Sequence, residues 1–279
     1  MADFPINGGV AVITGAASGI GAALAAELAS RKCNLALVDR NPENLSRIAA
    51  AARLHGVTVS EHIIDVSDVA ALNALPEEVL AIHHRVTILV NNAGVALMGN
   101  FMEATLEDFS WLMDINFWAP VRLTRGFMFA LTREPAAHIV NISSIFGIIA
   151  PAGQTAYCAA KFGVRGFSEA LRHEFEGSNL SLTVVHPGGI ATEIARSARI
   201  PQGIDPVAAR AASEEFTKQL KTSPAKAALD ITNAILKRKP RLLIGGDAKF
   251  IDKLQRIFPE TYWRRLQKLM SGITKDPRK

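Results

Sequence analysis

Between Ile139 and Lys161 the sequence reads IVNISSIFGIIAPAGQTAYCAAK. An apolar, β-branched run ends in Ser143 and Ser144, a Gly/Pro-rich loop follows, and a helical pattern opens at Tyr157 with Lys161 one turn later. Residues at i and i+4 share a helix face. Strand and helix meeting at a sheet edge would thus gather a hydroxyl, a phenol and an ammonium. A free tyrosine titrates near pH 10, so acid/base work near neutrality asks for about 4 kcal/mol. An ammonium about 4 Å away gives roughly 1 kcal/mol in water and about 4 at an effective dielectric near 20. Lys161 is therefore expected to lower the Tyr157 pKa only inside a partly water-excluded cleft. Taken alone, Tyr-x-x-x-Lys is also an ordinary surface pairing.

The elements that would hold such a cleft are legible upstream. Val10 to Thr14 reads as a buried strand, Gly15, Ser18, Gly19, Ile20 and Gly21 as a turn, and the Ala/Leu run after it as a helix. Glycines there let a backbone approach a pyrophosphate, and the helix start offers free N–H donors to it. A second strand, Asn34 to Val38, ends at Asp39, where a carboxylate can bind a ribose 2′-hydroxyl and repel a 2′-phosphate. Arg40 could accept that phosphate, stack, or be solvated. With no Lys or Arg between Gly15 and Gly19, the charge balance favours NAD over NADP.

A third strand runs into Asp65-Val66, whose carboxylate could meet an adenine amino group or cap the next segment, where Ser67 and Asp68 offer N-cap chemistry. A fourth runs into Asn91-Asn92-Ala93-Gly94, small and amide residues suited to a crevice at strand ends or to a plain turn. A long helical pattern from Thr105 to about Leu131 contains Asn116, a poor helix-interior residue, with Pro120 four positions on. A local break freeing a carbonyl for water is expected there. The adjacent His83 and His84 do not face each other on a helix and read as solvated.

At 279 residues and 49% hydrophobic, the chain can bury a sizeable α/β core. No apolar run reaches the ~18–20 residues of a membrane span, and MADFPINGG lacks secretory-signal features. Two distant cysteines, Cys33 and Cys158, make neither a disulfide framework nor a metal site and favour a reducing, cytoplasmic setting. The formal charge of +5 is uneven: from Lys237 onward, 13 Lys/Arg face 4 Asp/Glu. The body is thus slightly acidic, with no nucleic-acid signature.

Taken together and in order, Thr14-Gly-Ala-Ala-Ser-Gly-Ile-Gly21, Asn91-Asn-Ala-Gly94, Asn116, Ser144, Tyr157-x-x-x-Lys161 and Pro187-Gly188 resemble the short-chain dehydrogenase/reductase family over roughly residues 8–245. The resemblance implies a Rossmann α/β fold, a doubly wound seven-stranded parallel sheet in three layers. It implies Tyr157 as general acid/base on a substrate oxygen and Ser144, thirteen residues earlier, as the group holding that oxygen. Lys161 would tune the phenol and bond the nicotinamide ribose, and Asn116 would support a proton-relay water. Pro187, Gly188, Ile190 and Thr192 would pass the nicotinamide. A homodimer or homotetramer is usual in the family. Ala119 stands where the family often has Gly, behind the bulky Phe117-Trp118.

These readings make residues 1–246 a catalytic domain, with a partly helical substrate lid over about 190–223, and 247–279 a basic amphipathic extension. In the extension Phe250, Ile251, Leu254, Ile257 and Phe258 recur with helical period, then Tyr262, Trp263, Leu266, Leu269 and Met270. Three roles are open for it: docking on its own domain or a neighbouring subunit, contact with an anionic membrane surface, or selection of phosphate- or carboxylate-bearing substrates. Its apolar face also fits a greasy, lipid-like substrate passing beneath. The expected activity is NAD(P)-dependent hydride transfer between a secondary alcohol and a ketone; a catalytically idle nucleotide-binding regulator or scaffold is the alternative.

Overall fold

The computed structural model describes residues 3–218 and 220–273, except the side chains at 212, 216 and 270–273. Seven parallel strands form one sheet: β1 (Val10–Thr14), β2 (Asn34–Asp39), β3 (Val59–Ile63), β4 (Ile88–Asn91), β5 (Ala137–Ile142), β6 (Leu180–Pro187) and β7 (Arg241–Ile244). Their order is β3-β2-β1-β4-β5-β6-β7, so the direction of winding reverses between β1 and β4. A crevice opens at the carboxyl ends of strands at such a reversal. This is the Rossmann-like α/β architecture with helices on both faces.

Alternation along the strands builds the two apolar layers. In β1, Ala11 and Ile13 face one layer and Val12 the other. The first layer is closed by α1 (Gly19–Ser30), α2 (Pro42–Arg53) and α8 (Pro224–Leu236) through Leu24, Leu28, Leu45, Ile231 and Ile235. The second is closed by α3 (Val69–His83) and α5 (Ala119–Arg133) through Leu75, Val79, Leu123 and Phe127, with α6 (Thr155–Glu174) beside them. A strand buried on both faces has no polar alternation, which is why these segments read as continuous apolar runs. The remaining helices are α4 (Leu106–Met113), α7 (Pro206–Lys218), α9 (Gly246–Ile257) and α10 (Tyr262–Ile273).

Helix starts follow their caps. Asp68 Oδ1 accepts the N–H groups of Ala70 and Ala71, so Asp68 caps α3, while Asp65 binds Ser67 instead. The helix carrying Tyr157 begins two residues earlier than the sequence pattern suggests, at Thr155. The long pattern from Thr105 is two α-helices joined by a π-helical turn, Asp114–Trp118, where the Ala119 N–H donates to Asp114 five residues back.

His83 departs from expectation. His83 is the last residue of α3 and falls four positions after Val79 on its buried stripe (Leu72, Leu75, Val79), whereas His84 leaves the helix in a left-handed conformation (φ 62°). On that stripe His83 is buried, its Nε2 lying 2.9 Å from Ser60 Oγ, which also meets His62. Only His84 is solvated.

The extension folds back on its own domain. Ile251, Tyr262 and Leu266 pack on Ile145, Ile148 and Ile149, and the Ala150 N–H donates to Tyr262 Oη at 2.9 Å. Asp252 pairs with Arg241 at 2.6 Å and anchors α9 to β7. Much of the apolar stripe is thereby covered, although Phe250, Ile257 and Leu269 stay exposed; the Met270 side chain lies outside the described set. Among the described residues, no helix is long and apolar enough to cross a membrane.

Candidate active site

The turn between β1 and α1 is a close backbone approach. A Cβ at Gly21 would lie 2.1 Å from the Gly15 carbonyl oxygen, so only glycine lets the helix start this near the strand. Thr14 Oγ1 accepts the N–H groups of Asn92 and Ala93 at 3.0 Å, and Asn92 Nδ2 donates to the Thr14 and Gly15 carbonyls. These bonds lock the ends of β1 and β4 together. Ser18, at the N-cap of α1, makes no side-chain cap and the first turn carries no acidic residue. Its N–H groups are thus available to an anion.

Asp39 closes β2 with Oδ2 accepting the Ala17 N–H at 3.0 Å and Oδ1 accepting that of Asn41. Its carboxylate is held over the glycine turn with lone pairs to spare for hydroxyl donors. Arg40 is exposed and sits 3.6 Å from Asp65. Burial penalises the Asp65 carboxylate, but the bonds from Ser67 and the charge of Arg40 outweigh it and hold its pKa low.

At the other end of the crevice, α6 is tied to the sheet through polar groups in an apolar setting. Ser143 Oγ donates to the Lys161 carbonyl at 2.8 Å. Asn91 Nδ2 donates to Asn141 Oδ1 at 2.7 Å, and Asn141 Nδ2 to Ser168 Oγ at 2.9 Å, linking β4, β5 and α6. The Lys161 ammonium donates to the Ile142 carbonyl at 3.0 Å and lies 5.6 Å from the centre of the Tyr157 ring. Asn116, fully buried, uses its amide on the backbone of Val95, accepting and donating at 2.8 Å. The π-helical turn aims it there, and Phe117 packs on Gly163 of α6.

Burial dominates the electrostatics of the reacting end. Burial pushes the Tyr157 phenol up to about 12, only partly countered by the Ser144 hydroxyl and reinforced by the neighbouring Cys158. Burial likewise pushes Lys161 down to about 8. Burial thus outweighs every other influence on both groups, and the Lys161 ammonium, with one of its three N–H donors on the Ile142 carbonyl, keeps two for other partners.

One cleft of about 310 Å³ is lined by Gly15, Ser18, Gly19, Ile20, Asp39, Arg40, Asp65, Val66, Asn92, Ala93, Gly94, Ser144, Tyr157, Lys161, Pro187, Gly188, Ile190 and Thr192. Asn116 and Gly21 stand just behind this wall. The residues singled out in the sequence thus converge on a single elongated groove, with carboxylates at one end and Ser144, Tyr157 and Lys161 at the other. The rest of the lining is mixed: Ile64, Val95, Trp111, Ile115, Ile142 and Ile194 are apolar, and Ser143, Glu193 and Ser197 are polar. Among the described residues, none of the basic extension lines the cleft.

Other contributors were not visible in the sequence. His186 is buried, bonds the Ser144 carbonyl through Nδ1 at 3.0 Å, and is pushed down to about 4 by burial, so it holds that loop as a neutral donor. Asp247 and Arg199 act across large sequence separations, and only a polar residue in an apolar stretch, as at Asn141, offered a local signal.

Comparison with known proteins agrees with this geometry. The short chain dehydrogenase family model matches residues 9–203. SadH, a candidate oxidoreductase of Mycobacterium tuberculosis, is 41% identical over 261 residues, covering 92% of this chain and 94% of the relative. D-threitol dehydrogenase of Mycolicibacterium smegmatis is 35% identical over 198 residues, covering 70% and 75%. A Burkholderia phymatum short chain dehydrogenase/reductase solved in complex with NAD superposes with a TM-score of 0.85 at 29% identity, covering 92% of this chain and 96% of that one. The chain belongs to the short-chain dehydrogenase/reductase family and is an NAD(P)-dependent oxidoreductase of that family.

Proposed function

We propose that the protein reduces a ketone to a secondary alcohol, or runs the reverse reaction, with NAD preferred over NADP and an uncharged, hydrophobic substrate. The observation that carries this reading is the shared cleft: a phosphate-accepting helix start and Asp39 at one end, Ser144, Tyr157 and Lys161 at the other. A nicotinamide dinucleotide, when bound, supplies or accepts the hydride. The chain's own residues do the rest. The α1 start and the Gly15–Gly21 turn take the pyrophosphate, and Asp39 takes ribose hydroxyls and disfavours a 2′-phosphate. Ser144 holds the substrate oxygen beside Tyr157. Tyr157 stands protonated at neutral pH and can give its proton to a carbonyl oxygen, which serves the reductive direction. Lys161 bonds the adjoining ribose, and Asn116 keeps the Val95 segment in place behind the site.

The apolar side chains of Val95, Trp111, Ile115, Ile142 and Ile194 in the lining support an uncharged, hydrophobic substrate. Both cysteines are free, in keeping with a reducing, cytoplasmic compartment. Oligomerisation as a homodimer or homotetramer rests on the family alone. The test follows the near-ultraviolet absorbance of NADH across a panel of ketones and secondary alcohols. Tyr157→Phe should lose about 10²–10⁴-fold in kcat while still binding NADH. Full activity in that variant would remove Tyr157 as acid/base, and NADH binding without turnover of any substrate would favour the idle nucleotide-binding scaffold.

A further inference from the structure

The lid is pinned at two places. At its base Ile190 and Thr222 form a β-bridge, the Ala191 N–H donating to the Thr222 carbonyl at 2.9 Å. Across the cleft, Arg199 bridges Leu97: its N–H donates to the Ala96 carbonyl and its carbonyl accepts the Met98 N–H, both at 2.9 Å. The Arg199 side chain continues in the same direction. Its Nε lies 3.0 Å from Asp108 Oδ1, and its guanidinium carbon lies 4.9 Å from the centre of the Trp111 ring. The Asp108 side chain is only 8% exposed, and its other oxygen accepts from Thr105 at the start of α4. A carboxylate this dry needs a cation close by, and a planar guanidinium can meet it while covering an indole face. Trp111 packs with Tyr157 on the cluster of Leu97, Leu112, Ala156 and Ala160 and lines the cleft.

We propose that Arg199 is a positioning residue: a latch that fastens the lid to α4 and fixes Trp111 as the wall limiting the size of the substituent beside the reacting carbon. This rests on the ketone-reductase reading above. The pieces support one another. The bridge sets the Arg199 backbone, Asp108 sets its guanidinium, and the guanidinium sets the indole. One face of the indole is covered by the lid's guanidinium, and the indole also packs on the cluster against which Tyr157 packs. Releasing the latch would therefore loosen the lid and widen the site together.

The test uses the whole protein and two readouts. In Arg199→Met, amide hydrogen exchange over residues 95–98 and 197–201 should quicken about tenfold, with the central strands unchanged. NADH affinity should stay within about twofold, because Arg199 does not line the cofactor end. Arg199→Lys, which keeps the charge and loses the fork, should fall between. In Trp111→Ala, kcat/KM for a bulky aryl ketone relative to a small methyl ketone should rise about tenfold. Unaltered exchange in Arg199→Met would overturn the latch, and an unaltered size ratio in Trp111→Ala would overturn the wall. If the wild-type protein turns over no ketone, the ketone-reductase reading fails and the wall with it, while the exchange data still decide the latch.

Discussion

The Gly189 N–H donates to Asp247 Oδ2 at 2.7 Å, so the first turn of α9 holds the loop that follows β6. The same carboxylate leaves no room for a side chain at Gly188, where a Cβ would lie 2.3 Å from it. The extension thereby reaches the edge of the cleft formed by Pro187, Gly188, Ile190 and Thr192. A hydrogen bond to a charged acceptor at an exposed position is worth about 1 kcal/mol. Asp247→Ala should accordingly weaken NADH binding about fivefold and leave ADP-ribose, which lacks the nicotinamide, unaffected. Asp247→Asn keeps an acceptor oxygen and should restore most of the loss. Calorimetric titration of both ligands checks this, and equal weakening of the two would contradict it.

Cofactor choice hangs on Asp39 and Arg40. Asp39 is fixed by the Ala17 and Asn41 amides, whereas Arg40 makes only a 3.6 Å contact with Asp65 and is largely exposed. Replacing the carboxylate removes the repulsion toward a 2′-phosphate and leaves Arg40 beside it. Asp39→Ser should shift the ratio of kcat/KM for NADP over NAD upward by roughly 10–100-fold, mostly through KM. An unchanged ratio would mean that Asp39 does not read the ribose.

What the sequence reveals is what lies close together along it. Gly15 to Gly21, Asn91 to Gly94 and Tyr157 with Lys161 each sit within one turn or strand end, so their spacing carries their geometry. The order of these motifs carries the sheet. The Arg199–Asp108 and Gly189–Asp247 contacts join segments 91 and 58 residues apart, and no local pattern encodes such a meeting. His83 misleads for another reason: it lies four residues after Val79 on the buried stripe of α3, and its polar ring hides that it continues an apolar face. Burial is likewise illegible: spacing places the ammonium near the phenol but is silent on the desolvation that dominates both groups.

Acid should destabilise the fold through its buried histidines. His138, fully buried on β5 with Nε2 on Thr183, is pushed down to about 3, chiefly by burial and then by Arg238. Below its ordinary value of 6.5 the unfolded chain takes up a proton that the folded chain refuses. Stability therefore falls as pH drops from 6.5 toward 3, by up to ~1.4 kcal/mol per pH unit. His138→Asn should flatten this limb of a urea-unfolding series even if it lowers stability at neutral pH. A slope identical to wild type would show that other groups carry the acid sensitivity.

Lys161 should show the opposite relation between stability and function. It is 3% exposed, and burial moves its pKa from 10.5 to about 8. That displacement is worth roughly 3 kcal/mol against folding while the ammonium is charged in both states. Below about pH 8 the whole cost is present. Between 8 and 10.5 the unfolded chain keeps a proton that the folded chain has released, so the cost is relieved as pH rises. Lys161→Met retains an unbranched apolar stem of similar size in this dry position. It should unfold at higher urea than wild type at pH 7, and the advantage should shrink by roughly 2 kcal/mol by about pH 9.5. Above that, Tyr157 begins to titrate in the unfolded chain, and the comparison stops there. Turnover should meanwhile fall sharply, since the ammonium lies at the reacting end of the cleft beside Tyr157. A less stable Lys161→Met at neutral pH would mean that the bond to the Ile142 carbonyl outweighs the desolvation of the charge.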